Sequence, residues 1–313
     1  MRFSYQIRGC SINAHVNNPD ILKNLSNEKN QLIEISFQSD EKGITIFTGR
    51  VLSENLKELA EFIIYHLRPF ILKSIVLTEV ECLSFPDEFE LQIENEEEIR
   101  QAGLPLCGKI GKFAVLRPSC PNVTKEEIEQ NFRAVISLSC EELDDSLYWV
   151  YLANTACEFD HGISNHDLVK QFRLIWSAFN RIYNLYSGKK YERERIEEFA
   201  YMDITIKFFN EQIKNWRFNE HVKKLIDAQL YVKNGKENVS EELRKAKENK
   251  NLKEISKYVL LSLYAVRNSL FHGEARKEIE LSRVCLLLLS PLVKYVIKQC
   301  GQCALKNNEA FTK

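Results

Sequence analysis

At 313 residues, 44% hydrophobic and 28% charged, the chain has enough apolar content for a large core and two domains. Nine cysteines at long, irregular gaps argue against a disulfide framework, and the start, MRFSYQIRGCSINAHV, lacks the apolar stretch of a signal peptide. The net charge of −1 hides an asymmetry: residues 161–313 carry 28 Lys+Arg against 18 Asp+Glu (+10), while residues 1–160 carry 15 against 26 (−11). A basic half joined to an acidic half is expected where one half alone meets a polyanion.

The first part reads as mixed α/β. Met1 to Ile7 is a strand, and Gln31 to Gln38 alternates, with Ile33, Ile35 and Phe37 on one face. Asp40 to Gly43 makes a turn into a returning strand, Ile44 to Val51, so a hairpin is expected. Ser53 caps a helix bearing Leu56, Leu59, Ile63 and Leu67, which Pro69 ends. Ile75–Glu81 and Lys112–Arg117 are read as further strands, and the strongly acidic residues 86–101 as solvent-facing. Gly108-Lys109-Ile110-Gly111-Lys112 is not a phosphate loop: the glycines are too close, and Phe113 stands where Ser or Thr is needed. It reads as a tight turn.

Beyond residue 122 the pattern turns helical. Lys125–Val135 and Asp145–Cys157 are expected helices, followed by a loop over residues 158–165 that Asn165 closes as a cap. Phe172, Ile175, Trp176, Phe179, Ile182, Tyr183 and Tyr186 form one broad apolar stripe, stopped by Ser187-Gly188. Helices over Glu192–Asn215 and Asn219–Val232 follow, then a polar, lysine-rich stretch over residues 233–251, read as an exposed helix or a loop. A helix starting near Leu252 carries the motif described below. The last helix, Ala275–Gln299, is expected to kink or break at Pro291. Its most apolar run, Val284–Val293, is interrupted by Ser290 and Pro291 and is too short for a bilayer, so the expectation is a cytoplasmic protein with no membrane partner. Cys300-Gly301-Gln302-Cys303 lacks a second ligand pair for zinc and does not follow a strand, so it reads as free thiols near a frayed end.

The stretch that carries chemistry is Arg267-Asn268-Ser269-Leu270-Phe271-His272-Gly273. Arginine supplies a permanent forked charge, and histidine a proton carrier near neutral pH. On a helical wheel started at Ile255, the core stripe of Leu252, Val259, Leu263, Val266 and Leu270 falls within about 20–80°. Leu260, Tyr264 and Phe271 form a second apolar face at about 140–180°, flanked by Arg267 at about 120° and Asn268 at about 220°. His272 falls at about 260° if the helix reaches that far. Two apolar faces imply burial on both sides, one in the bundle and one against a partner subunit. These groups suit RNA cleavage without a metal. His272 takes the proton of a ribose 2′-OH or protonates the leaving 5′-oxygen, and the helix C-terminus favours the acid role. Arg267 stabilises the phosphorane, and Asn268 positions a phosphate oxygen or orients the histidine. The rivals are a module that binds RNA or a nucleotide without cutting it, and a dimerising interaction protein.

Arg-Asn-Ser-Leu-Phe-His-Gly at the end of a late helix resembles the R-x4–6-H motif of HEPN-domain endoribonucleases. The tryptophan-bearing helix Phe172–Tyr183 resembles the first helix of the Apea-like HEPN group. The resemblance covers roughly residues 145–313. Together with the mixed α/β domain read over residues 1–140, given a sensing or regulatory role by analogy alone, it implies an α+β chain whose residues 141–313 form an all-α HEPN-like bundle. It further implies a homodimer with a composite site, an RNA substrate, no metal or other cofactor, and anti-phage, abortive-infection or toxin biology with a trigger or antitoxin left open. Its site residues transfer to Arg267, Asn268 and His272. Two features depart from the family: Phe179-Asn180 follow Ala178 where many relatives carry an acidic residue, and Glu274 stands where some toxins carry a modified tyrosine.

Overall fold

The computed structural model describes residues 1–8, 10–40, 44–53, 55–78, 89–92, 122–138, 140–155, 165–232, 236–272 and 275–311; for 89–92, 165, 271–272, 275–280 and 302–311 this covers the backbone alone. The chain is α+β, an N-terminal sheet followed by a mostly helical part. It divides into two compact units. The first comprises Met1–Ser139, Cys157–Gly162 and Lys298–Lys313, and the second Cys140–Ala156 and Ile163–Ile297. The last sixteen residues, assigned by sequence to the helical half, thus belong with the first unit.

In the first unit, strands β1 (Arg2–Arg8), β3 (Ala14–Val16), β4 (Asn30–Ser39), β5 (Ile44–Ser53) and β6 (Phe89–Gln92) form an antiparallel sheet of order β3-β4-β5-β1-β6. The expected hairpin is present as β4–β5, with a different inward set. A bulge between Leu32 and Glu34 shifts the alternation, so Leu32, Ile35 and Phe37 are buried and Ile33 is only half-buried. An extra residue in one strand reverses the phase of every side chain before it. Phe3 faces Gly49 in register, and a Cβ there would lie 2.3 Å from the Phe3 ring. The short strands β2 (Ser11–Ile12) and β7 (Asn122–Val123) pair in parallel.

Helix α1 (Pro19–Leu25), absent from the sequence reading, carries its signal in Asn18-Pro19: the Asn18 side chain accepts from the Asp20 and Ile21 amides, and Pro19 fits the first turn. Helix α2 (Leu56–Phe62) is capped by Asn55, not Ser53, which belongs to β5. Pro69 does not end the helix. A π-helical turn over Ile63–Leu67 leads into α3 (Arg68–Val76), and Pro69 occupies that segment's first turn. The strand expected from Ile75 is contradicted where it is described, since Ile75 and Val76 close α3. Ile71, Leu72, Ile75 and Val76 are buried at helical spacing, which overrides their β-branched character. Leu77 and Thr78 follow as a turn and a bend, while residues 79–81, Lys112–Arg117 and the Gly108–Lys112 turn lie outside the described residues, as do all of residues 86–101 except Phe89–Gln92. Helix α4 (Lys125–Ile136) packs Phe132 against Phe37 and Phe70.

The second unit contains α5 (Glu141–Thr155), α6 (Asn165–Tyr186), α7 (Glu192–Ala200), α8 (Asp203–Gln212), α9 (Trp216–Asp227), α10 (Val239–Glu248), α11 (Leu252–His272) and most of α12 (Ala275–Phe311). The α6 stripe is buried from Phe172 to Tyr183, as its spacing demands. The single helix expected over 192–215 breaks between Ala200 and Asp203, giving α7 and α8. The one expected over 219–232 ends at Asp227: Gln229 takes a positive φ of 55°, and β8 (Tyr231–Val232) pairs with β9 (Glu237–Asn238). Part of the lysine-rich stretch is α10, with Asn238 as its cap.

Helix α12 passes through Pro291 as one element. Its stretch Leu281–Gly301 is therefore long and apolar enough to cross a membrane by length and composition, contrary to the shorter run read from sequence, yet more than half of it is buried within the protein. Lys294 lies buried within it, donating to Asn154 at 3.3 Å. Near its end Gly301 packs on α4, and the Cys300–Cys303 segment is helical.

Candidate functional site

The site forms where α6, α7 and α11 meet within the second unit. Trp176, 3% exposed, lies beside Tyr264 with ring centroids 6.2 Å apart. One turn further along α11, the Arg267 guanidinium carbon stands 5.9 Å from the centroid of the same indole. One turn back along α6, Arg173 donates to the Leu270 carbonyl at 3.3 Å. The two helices therefore run antiparallel along this seam. A guanidinium is weakly hydrated and flat, so it rests on an indole at little desolvation cost.

Helix α7 supplies a carboxylate. Glu192 opens that helix, and its Oε2 lies 3.5 Å from Arg267 Nη1. The Glu192 Oε1 accepts from the Tyr183 hydroxyl at 2.7 Å. Burial, reinforced by that bond, pushes the Tyr183 hydroxyl far above the usual tyrosine range, so it remains a donor. Arg267 Nη1 also donates to Asn268 Oδ1 at 2.9 Å. Neighbours on a helix do not share a face, so the arginine bends back to reach the amide. The Arg267 side chain retains 24% exposure, open to solvent on part of its surface.

Arg193, one residue after Glu192, provides a contrast. It donates to Glu197 at 2.7 Å and to Glu237 at 2.8 and 3.0 Å. Burial would lower its pKa, but the two carboxylates outweigh this and raise it. That is a closed structural ion pair, with much shorter contacts than the 3.5 Å between Arg267 and Glu192.

Of the three residues expected in the site, Arg267 and Asn268 are in direct contact. His272 is the final residue of α11, so the helix reaches it. Five residues along a helix correspond to about 7.5 Å of rise and about 140° of rotation from Arg267. Its imidazole lies outside the described side chains. On the second apolar face of α11, Leu260 is 1% exposed, and Tyr264, half-buried, packs on Trp176. Sequence reading missed Glu192, 75 positions from Arg267, and Arg173; no periodicity pairs residues that far apart. Among the described residues no group of three or more His, Cys, Asp or Glu is placed to hold a metal ion.

No protein-family model, no curated protein and no solved structure matches this chain.

Proposed function

We propose that the helical unit is a HEPN-type, metal-independent endoribonuclease acting as a homodimer in a defence or toxin setting, with the first unit sensing or restraining it. One observation supports this most: the helix that ends in His272 holds Arg267 half-buried over an indole, oriented by Glu192 and Asn268. A charge fixed beforehand lowers the cost of binding a phosphorane.

In this reading His272 of one copy takes the proton of a ribose 2′-OH, whose oxygen attacks the adjacent phosphorus. The P–O5′ bond breaks, and the second copy's histidine protonates the departing oxygen. The products are a 2′,3′-cyclic phosphate and a 5′-hydroxyl.

Purified protein is expected to cut single-stranded RNA in EDTA, leaving cyclic-phosphate ends. Arg267→Ala or His272→Ala is expected to abolish this with the fold intact. Cleavage that survives both substitutions overturns the assignment.

The Arg267–Glu192 ion pair favours a second reading, a module that binds RNA or a nucleotide without cutting it, because a paired arginine also serves a purely structural or binding role. That reading predicts salt-dependent binding, weakened in Arg267→Ala, with the RNA left whole.

A further inference from the structure

The loop between α6 and α7 is tied down at several points. Ser187 is buried and hydrogen-bonded to the Glu198 carboxylate. Arg195 donates to the Lys189 carbonyl at 2.5 Å and to Asn184 at 2.6 Å. The Lys189 amide donates to the Ser187 hydroxyl at 3.3 Å. This fixed loop nevertheless directs its last three side chains outward: Lys189, Lys190 and Tyr191 are all exposed, the tyrosine by 60%. The Lys190 ammonium stands 5.5 Å from the centre of the Tyr191 ring. Tyr191 immediately precedes Glu192, whose carboxylate meets the Arg267 guanidinium. Consecutive Cα atoms are only about 3.8 Å apart, so the backbone of Tyr191 lies one residue from the carboxylate that meets the arginine.

We propose that Tyr191, with Lys189 and Lys190, is a nucleotide subsite that stacks one base of single-stranded RNA beside the phosphate held at Arg267. The inference rests on the ribonuclease reading and adds its substrate recognition. An aromatic face accepts any base, and neighbouring cations track the backbone, so the subsite is tolerant of sequence and selects unpaired strands. Charge complementarity sets the occupant: two exposed ammonium groups next to an open ring in the chain fit a phosphodiester strand. The Glu192 and Glu194 carboxylates in the first turn of α7 leave the phosphates to Lys189, Lys190 and Arg267. The platform has no role in the folded core, because its ring is mostly in water.

The test is a fluorescence-anisotropy titration of the full chain with a labelled 2′-O-methyl oligoribonucleotide, which lacks the attacking hydroxyl. Tyr191→Ala is expected to weaken binding about ten-fold or more, while Tyr191→Phe keeps it within about two-fold, as for stacking on an aromatic ring. An abasic strand of the same length is expected to bind the unmodified chain and Tyr191→Ala equally. Replacing Lys189 and Lys190 together by Ala lowers the slope of log affinity against log salt by about 1.4, the loss of two phosphate contacts. If the unmodified chain binds RNA and Tyr191→Ala binds it as tightly, the subsite is overturned and the ribonuclease reading stands. If the unmodified chain binds no RNA, both fall. A Tyr191 effect that persists on the abasic strand also overturns base stacking.

Discussion

The guanidinium of Arg267 lies over the indole of Trp176, 5.9 Å from its centroid, and so joins α11 to α6 through a contact that is apolar on one side and charged on the other. Arg267→Lys keeps the charge but loses the flat stack and the Nη1 amino group that reaches both Glu192 and Asn268. We expect a loss of about 1–2 kcal/mol in unfolding free energy, read by urea titration, from the lost contact and hydrogen bonds. In the proposed reaction the lysine variant is expected to fall at least about 10²-fold in turnover, the scale for losing one charge-stabilising donor.

Glu192→Gln separates orientation from stability. The pair is partly exposed, so its loss costs no more than about 1 kcal/mol in a urea titration. If Glu192 orients Arg267, RNA cleavage falls well beyond that stability change, mainly in kcat. Equal small losses in both would show a carboxylate that only pairs.

Tyr183 predicts an alkaline signature. Its hydroxyl pKa is raised by burial and by the bond to Glu192, so the folded state retains a proton that the unfolded state releases near pH 10. The stabilising contribution is complete below that value and is lost as pH rises above it, at about 1.4 kcal/mol per pH unit for one proton. Tyr183→Phe is expected to be less stable at pH 8 and to show a shallower decline above pH 10, measured by denaturant midpoints across pH.

Arg173 holds the last turn of α11 through the Leu270 carbonyl and complements that helix end. Arg173→Ala is expected to cost about 0.5–1 kcal/mol overall. Amide exchange over residues 267–272 is expected to speed up, with the start of α11 unchanged. No change in exchange would show that the contact does not hold that turn.

Two glycines give opposite expectations. A Cβ at Gly301 would stand 2.5 Å from the Ala134 carbonyl oxygen and 2.9 Å from its Cα, so Gly301→Ala must push two backbones apart at a cost of about 1–3 kcal/mol. A Cβ at Gly188 meets nothing within 4 Å, so Gly188→Ala is expected to be neutral or stabilising by up to about 1 kcal/mol. Denaturant unfolding of the two variants checks both.

Reading the sequence worked where one helix face or one strand face decides the outcome. The stripe from Phe172 to Tyr183 expresses a local period that burial followed, and the turn between two apolar runs gave the pairing of β4 with β5. Reading failed where a neighbour intervened. The bulge at Leu32–Glu34 displaced Ile33, and the π turn before Pro69 let the chain stay helical through Val76. On the second face of α11, Tyr264 meets Trp176 of the same chain, a contact that no local period announces.

By itself, the amino-acid order determined the α+β division, the helix that ends in His272, and the placing of Arg267 and Asn268 on it, because propensity and periodicity act over a few residues. Only the tertiary structure decided what surrounds Arg267. Trp176, Glu192 and Tyr183 come from two other helices, and the contacts that fix a guanidinium depend on helix packing, which no local pattern in a single sequence encodes.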